Sequence, residues 1–406
     1  MKWEKVKLGD IATCIQPGPF GSQLHNSDYS KEGTPIIMPK DIVGGAIVHS
    51  GLLKVSEEHV KRLSRHQVYE GNLMVARKGD VRKCAYITAN ENGWMTGSDC
   101  LKVVLDESKC YPKFIYYQLR SEHIGRWLEK VSIGATMPSL NTGLLSGIEM
   151  VLPPIEIQKQ IAGILSVYDD LIENNRKQIK LLEEAAQRLY KEWFVNLRFP
   201  GHENTKIVDG VPEGWQYEKL GDLVKTTSGG TPSRRKSEYY VNGNIRWIKT
   251  KELNDRFIFE TEEHITEDAV KNSSAKVLPE GALIVAMYGA TIGKIGITAA
   301  EMACNQACCA FISFDDMISK EYLYCWLMDN REYLVSQGKG AAQSNLSQEM
   351  IRNFSLLCPD KKVIKNFTEI VTTMLENKRV LENKILMLSK ARDDLLPKLM
   401  SGEVEV

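Results

Sequence analysis

The chain has 406 residues, of which 43% are hydrophobic and 26% charged, which predicts two or three globular domains and excludes a disordered protein. No run approaches the ~20 apolar residues of a membrane span. The opening Met1-Lys2-Trp3-Glu4-Lys5 is charged where a secretion signal is apolar. The nine cysteines have no paired spacing, which favours free thiols in a reducing cytoplasm. The 52 basic and 52 acidic residues cancel, which by itself argues against a nucleic-acid partner.

Along the chain, one pattern of residues occurs twice. Trp3 with Lys7-Leu8-Gly9-Asp10 returns as Trp215 with Lys219-Leu220-Gly221-Asp222. Further pairs follow in the same order: Lys40-Asp41-Ile42 with Lys251-Glu252-Leu253, Glu70-Gly71 with Glu280-Gly281, Phe114-Ile115-Tyr116 with Tyr322-Leu323-Tyr324, and Gly134-Ala135 with Gly340-Ala341. The offset drifts only from 212 to 206 residues, so the ordered series predicts an internal duplication.

Each half ends in a long segment whose apolar residues follow a heptad spacing. Between Ile155 and Asn196 there is no proline and only one glycine, which predicts one helix of about 40 residues. The predicted seam contains Ile161, Leu165, Tyr168, Ile172, Asn175, Ile179, Leu182 and Leu189, and in the second helix Phe367, Val371, Met374, Leu381, Ile385, Leu388 and Leu395, with Lys378 and Arg392 as charged interruptions. Because an apolar stripe must be buried, we expect the helices to pack antiparallel as a coiled coil with one domain at each end.

The two globular halves are predicted to be mixed α/β domains. Short β-rich runs at 34–38, 101–105, 282–287 and 309–314 alternate with turns, and helical patterns occur near 113–128 and 320–335. Proline precedes each long helix, at Pro153-Pro154 and Pro359. The predicted divisions are a first domain at 1–154, the first helix at 155–196, a linker and second domain at 197–360, and the second helix at 361–406.

Catalytic signatures are missing from the sequence. The segment from Gly289 to Lys294 resembles a phosphate-binding loop, but it has one residue too few between its glycines and is followed by Ile295 where Ser or Thr should hold magnesium. Cys304, Cys308 and Cys309 lack a second ligand pair at zinc spacing and are interpreted as core residues. The Asn-Pro-Pro-aromatic tetrad of amino-methyltransferases is also absent. These features predict a binding protein with no catalytic residues, metal or cofactor of its own.

Several glycine-framed loops combine basic and small polar residues, as contacts to phosphates and base edges require. Each basic cluster alone is typical of a solvated turn, but the clusters recur at matching places in both halves. The candidate DNA contacts are Ser22, Gln23, His25, Asn26, Lys40, Arg77, Lys78, Arg82, Lys83, Thr136 and Asn141 in the first half, and Thr231, Ser233, Arg234, Arg235, Lys236, Lys249, Lys251, Lys294, Gln343 and Asn345 in the second.

Two other functions are compatible with these patterns. The heptads alone describe a structural coiled coil without a DNA partner, in which Asn175, Lys378 and Arg392 set the register. The loop from Gly289 to Lys294 alone would suggest a nucleotide-processing enzyme.

The whole chain resembles the DNA specificity subunit of type I restriction-modification enzymes. The stretches that carry the resemblance are 193–203 (WFVNLRFPGHE), 211–215 (VPEGW), 229–233 (GGTPS), 395–403 (LLPKLMSGE) and the helix entry at 153–158 (PPIEIQ), with 359–362 (PDKK) as a weaker second entry. None of these is a catalytic signature.

The resemblance implies two target-recognition domains that read the halves of a bipartite, asymmetric site in double-stranded DNA, with the long helices setting the gap. It also implies partners in the cytoplasm. Two methylation subunits would bind S-adenosylmethionine and modify adenine, and restriction subunits would use ATP and magnesium. Base-contacting residues vary widely in such a family, so the candidate contacts above do not transfer by motif.

Neutrality of the whole chain conceals an uneven distribution of charge. Residues 1–154 carry a net charge of +3, 155–196 carry −1, 197–360 carry −4 and 361–406 carry +2. The balance therefore does not exclude DNA. It predicts weak DNA binding by the chain alone, with its partners supplying much of the nonspecific electrostatic attraction.

Overall fold

The computed structural model describes residues 3–132, 138–338 and 345–404. They form two compact units, which we call the first unit (Met1–Leu171 with Leu388–Val406) and the second unit (Ile172–Met387). Among the described residues, no helix is long and apolar enough to cross a membrane.

The first unit combines short helices with mainly antiparallel strands. Its strands are β1 (Glu4–Lys7), β2 (Ala12–Pro17), β3 (Tyr29–Ser30), β4 (Thr34–Ile37), β5 (Ile42–Val43), β6 (Ala46–Ile47), β7 (Leu53–Val55), β8 (Leu73–Ala76), β9 (Cys84–Tyr86), β10 (Met95–Thr96), β11 (Cys100–Leu105) and β12 (Glu149–Leu152). Its short helices are α1 (Leu8–Ile11), α2 (Glu57–Arg62), α3 (Pro112–Leu119), α4 (Glu122–Val131) and α5 (Thr142–Ser146). The long helix α6 (Ile155–Tyr190) follows and continues through a π-helical turn, Lys191–Val195.

The second unit repeats this composition. Its strands are β13 (Ile207–Val208), β14 (Val211–Pro212), β15 (Gln216–Lys219), β16 (Val224–Ser228), β17 (Ile245–Ile248), β18 (Arg256–Ile258), β19 (His264–Ile265), β20 (Val277–Leu278), β21 (Leu283–Ala286), β22 (Ile295–Thr298), β23 (Met302–Cys304), β24 (Cys308–Phe314) and β25 (Ser355–Cys358). Its short helices are α7 (Leu220–Leu223), α8 (Glu267–Lys271), α9 (Lys320–Asp329), α10 (Arg331–Gln337) and α11 (Gln348–Arg352), and the long helix α12 (Lys361–Ser401) follows.

The strand orders of the two units correspond. The order β2-β11-β8-β9 of the first unit matches β16-β24-β21-β22 of the second, where β18 is an added edge strand. The order β10-β4-β7 likewise matches β23-β17-β19, with β3 added at one edge in the first unit and β20 at the opposite edge in the second. In both units the second sheet contains one parallel pair, β10 with β4 and β23 with β17. An antiparallel pair joins the start and end of each globular segment, β1 with β12 and β15 with β25. This agreement confirms the predicted duplication and the mixed α/β class.

Local sequence explains the central strands and the helix breaks. The strands β8 (Leu-Met-Val-Ala) and β21 (Leu-Ile-Val-Ala) are buried along their whole length, as apolar strands covered on both faces must be. Each predicted short helical segment is divided in two. Ser121 starts α4 by accepting a hydrogen bond from the Ile124 N–H at 3.4 Å, and Asn330 separates α9 from α10.

The long helices are built into the core of both units. In the first unit, Ile161 and Leu165 of α6 share a core with Leu396 and Leu399 of α12. In the second unit, Tyr190 at the end of α6 packs with Phe367 near the start of α12. Further along α6 in the first unit, Asp169 meets the earlier Arg392 of α12, and in the second unit Glu183 meets Lys378 before Tyr190 meets Phe367. Residue numbers therefore rise along α6 as they fall along α12, and the helices run antiparallel within each unit, as predicted.

Every predicted seam residue is buried or half-buried, and burial extends beyond the seam. Ala162, Leu375 and Leu396 lie outside the predicted positions and are also buried. A two-helix coiled coil leaves such flanking positions partly solvated. Here the globular segments cover these flanking positions, because each long helix packs into the domain cores as well as against the other helix.

One buried cation in each unit joins α12 to α6 and to the globular segment. In the first unit, Arg392 pairs with Asp169 at 2.5 Å, and the Tyr117 hydroxyl donates to the same carboxylate at 2.8 Å. Although burial disfavours its charge, Asp169 raises the pKa of Arg392. We call this set, with the ion pair from Arg120 to Asp169 at 3.6 Å, the Arg392 clamp.

The corresponding set in the second unit is the Lys378 clamp. Lys378 is only 1% exposed, and its Nζ lies 2.6 Å from Glu183. The same nitrogen donates to the backbone oxygen of Asp255 at 2.7 Å and to the Tyr324 hydroxyl at 3.1 Å. Burial raises the pKa of neighbouring Glu382 to about 7, against the attraction of Lys378. The charged interruptions predicted in the seam are therefore contacts to the domain as well as to the other helix.

Removing the Lys378 cation is expected to destabilise the second unit. Lys378→Ala leaves buried acceptors without their donor, which should lower the free energy of unfolding by about 3–5 kcal/mol. Lys384→Ala, at an exposed position on the same helix, should stay within about 0.5 kcal/mol. Urea unfolding followed by fluorescence measures both. Equal losses for the two variants would contradict the clamp.

Candidate DNA interface

Three of the predicted loops meet at one end of β8 in the first unit. The Arg77 N–H donates to the Asp99 carbonyl at 2.7 Å, and the Arg77 carbonyl accepts from Leu140 at 2.8 Å. Lys78 forms a β-bridge with Ser139. The segment after β8 is therefore held between the loop before β11 and the segment that leads into α5.

The loop after β2 joins the same place through a close backbone approach. The Gly18 N–H donates to the Cys100 carbonyl at 3.0 Å. A Cβ at Gly18 would lie 2.0 Å from the Gly97 carbonyl oxygen, so only glycine fits there. The Arg77 guanidinium lies over the Phe20 ring, 5.3 Å from its centroid.

The second unit assembles the equivalent loops in the same way. The Met287 N–H donates to the Ala307 carbonyl at 2.8 Å, and its carbonyl accepts from Leu346 at 2.8 Å. Tyr288 bridges to Asn345 as Lys78 does to Ser139. A Cβ at Gly229 would lie 1.8 Å from the Cys304 carbonyl oxygen. We call the two sets of converged loops the first and second loop clusters.

In and around the first cluster, the basic candidates differ in their partners. Lys78 pairs with Asp99 at 3.1 Å, and Arg82 pairs with Glu122 and, at 3.5 Å, with Glu129. The Lys83 Nζ donates to the Pro39 carbonyl at 3.1 Å. Within the described part of the chain, Arg77 and the exposed Lys40 have no carboxylate partner, which leaves their charges available to an external anion.

Around the second cluster, most of the basic candidates are neutralised by nearby carboxylates. Arg234 pairs with Glu263 at 2.6 Å, Lys249 pairs with both Glu262 and Glu263, and Lys251 pairs with Glu262. These contacts lower the pKa of both glutamates. The Arg234 guanidinium also lies 4.4 Å from the Tyr240 ring centroid. We call this chain of alternating charges the glutamate ladder.

The remaining basic candidates divide similarly. Lys236 donates to the Tyr239 hydroxyl at 2.9 Å. Lys294 pairs with Asp255 at 2.8 Å. Burial acts to raise the pKa of Asp255, but hydrogen bonds from Lys294 and Arg331 keep it below its ordinary value. Arg235 is exposed and has no carboxylate partner among the described residues.

The polar candidates also divide into bonded and exposed side chains. The Asn141 Oδ1 caps α5 by accepting from the Leu144 N–H at 2.8 Å, and the Thr231 hydroxyl donates to Gln306. Gln23 is half-buried. Ser22, His25, Asn26, Ser233 and Asn345 are exposed, whereas Thr136 and Gln343 lie outside the described residues.

The loop that resembles a phosphate-binding loop has a different environment. A phosphate-binding loop leads into a helix whose N-terminus faces the phosphate. Here Gly289–Thr291 forms one 3-10 turn, and the strand β22 follows Lys294. Lys294 is held by Asp255, and Cys304, Cys308 and Cys309 are buried in the core. The geometry gives no support to a nucleotide-processing site.

Sequence reasoning missed three contributors to these surfaces. Phe20 was passed over because a lone aromatic in a polar loop predicts nothing by itself. Asp255 and the glutamates of the ladder were missed because their partners are distant in sequence. Asp255 carries one usable signal: its φ of +63° is rare for a residue other than glycine, and Asn254-Asp255 is a typical turn sequence.

Comparison with known proteins agrees with this architecture. The family model described as "Type I restriction modification DNA specificity domain" matches residues 1–184 and again 212–387. The MjaIX type I restriction enzyme specificity subunit of Methanocaldococcus jannaschii is 26% identical over 412 residues, covering 100% of this chain and 94% of that protein. The HindI type I restriction enzyme specificity subunit of Haemophilus influenzae is 23% identical over 471 residues, covering 99% of each chain.

A solved structure shares the fold. The crystal structure of a type I restriction-modification S subunit from M. genitalium aligns with a TM-score of 0.59 and 15% identity, covering 98% of this chain and 96% of that one. The family model covers most of the chain in two copies, and each copy contains one loop cluster. The chain belongs to the type I restriction modification DNA specificity family.

Proposed function

We propose that each unit reads one half of a bipartite, asymmetric site in double-stranded DNA through its loop cluster. The observation that carries this proposal is the recurrence of the same convergence in both units, from segments of different sequence. Two homologous domains that recognise different half-sites require a shared scaffold with different loop residues.

Within each cluster, the free cations and the exposed polar side chains have different tasks. Lys40, Arg77 and Arg235 anchor the backbone, because a phosphate need not compete with an internal carboxylate for them. Exposed side chains such as Ser22, Asn26 and Asn345 read base edges in the major groove, where each base pair has a distinct donor and acceptor pattern. The glutamate ladder holds the other cations in fixed positions and limits nonspecific attraction.

The long helices act as the spacer between the half-sites and as a docking surface. Both are continuous, at 36 and 41 residues. In the first unit, Ile164, Val167 and Leu171 form an exposed apolar stripe on α6 at helical spacing. Such a stripe suits a protein partner, and we assign it to the methylation subunits.

The chain has no catalytic role of its own in this proposal. It would assemble in the cytoplasm with two methylation subunits, which bind S-adenosylmethionine and methylate adenine, and with restriction subunits that use ATP and magnesium. Because the chain supplies two readers joined on one support, two modest half-site affinities combine through a high effective concentration.

Co-expression with the methylation subunit tests the proposal. Adenine methylation mapped across the host genome should appear at one new bipartite motif, and a chain lacking β16–β24 should abolish it. The methylation subunit expressed alone is the control. Methylation that is absent, or that follows a single continuous motif, would contradict the assignment.

The pairing pattern predicts unequal effects of two cations in the second unit. Arg235→Ala should weaken DNA binding by the methylating complex at all sequences and reduce the salt slope by about one, as loss of one phosphate contact does. Lys251→Ala should change both quantities less, because Glu262 already offsets that charge. Fluorescence anisotropy at several salt concentrations measures them. A larger effect of Lys251→Ala would show that the ladder opens on DNA.

A further inference from the structure

Phe20 is an exposed aromatic residue on a rigid part of the first loop cluster. The residue is 53% exposed, although Gly18 and Pro19 immediately before it are buried. The backbone at Gly18 is fixed by its bond to Cys100 and by the close approach to Gly97. The loop therefore displays the ring at the surface and does not allow it to fold into the core.

Arg77 supports the ring on one side. Its guanidinium carbon lies 5.3 Å from the ring centroid, and its backbone is held by the bonds to Asp99 and Leu140. No carboxylate among the described residues pairs with it. The cluster thus holds an apolar ring and an unpaired cation side by side. A ligand with an apolar group next to a phosphate would complement both.

The major groove of DNA offers one apolar feature for such a ring, the 5-methyl group of thymine. Insertion between base pairs is the other use of an exposed ring, and it requires both faces. Arg77 covers one face of Phe20, which disfavours insertion and leaves an edge and one face for a methyl group.

We propose that Phe20 contacts the methyl group of a thymine in the half-site read by the first unit, with Arg77 holding the ring and facing the adjacent phosphate. This inference rests on the proposed function. It also accounts for asymmetry. The strand registers match Pro17 with Ser228, which places Thr231 where Phe20 stands, and the Thr231 hydroxyl bonds to Gln306. One cluster presents an apolar group there and the other presents polar groups.

Single replacements of thymine by deoxyuridine test the inference, because they remove only the methyl group. Duplexes carry the mapped site with each thymine of the first half-site, on either strand, replaced in turn. For the methylating complex with the unaltered chain, one replacement should weaken binding about three- to fourfold, the value of one buried methyl group. With Phe20→Ala, binding to the thymine duplex should fall by a similar factor, and that replacement should have no further effect.

Two variants serve as controls. Phe20→Leu keeps an apolar group and should retain part of the sensitivity to the methyl group. Tyr69 is a 52% exposed aromatic residue that precedes the other end of β8. Tyr69→Ala should leave binding and methyl sensitivity unchanged. Thermal unfolding checks that each variant folds.

Three results would overturn the inference while leaving the proposed function intact. They are a first half-site without thymine, indifference of the unaltered chain to every replacement, and Phe20→Ala retaining full methyl sensitivity. Failure of the unaltered chain to direct bipartite methylation would instead remove the proposed function, on which the inference rests.

Discussion

Burial of the apolar faces of two long helices is the constraint on which both units depend. A helix of 36 or 41 residues cannot leave such a stripe in water. In each unit, α6 and α12 pack on each other and on the globular segment, so one core contains all three. The loop clusters are consequently fixed with respect to the helices of their own unit, which a reader of DNA sequence requires of its contacts.

Buried charge makes this packing specific. Apolar seams tolerate sliding by a heptad, but a buried cation must meet its carboxylate or lose several kcal/mol. The Arg392 and Lys378 clamps impose that condition in the first and second units respectively. Along each helix the clamp residues are 14 residues apart in sequence, since 183 − 169 and 392 − 378 are both 14. That interval is two heptads, so the clamp residues recur with the heptad spacing of each helix.

The duplication and the helix seam were predictable because they depend on local spacing and on repeated motifs. Strand order was not, since β4 pairs with β10 through residues about 60 positions away. The ion pairs that neutralise the loop cations could not be predicted from the sequence either. Lys249 and Lys251 are neutralised by Glu262 and Glu263 only because β17 and the segment after β18 come together. Of the basic candidates, Lys83 and Lys236 are bonded to a carbonyl and a hydroxyl, and the fold leaves the side chains of Lys40, Arg77 and Arg235 with neither a carboxylate nor a hydrogen-bond partner among the described residues.

We propose that the helices set the gap between two half-sites read by separate loop clusters. Inserting one heptad into α6 between Asp169 and Glu183, and one into α12 between Lys378 and Arg392, preserves the seam and both clamps. Seven residues lengthen a helix by about 10 Å, or roughly three base pairs at 3.4 Å each. Mapping methylation should show both half-sites unchanged and the gap longer by about three base pairs. An unchanged gap, or an altered half-site sequence, would contradict the account.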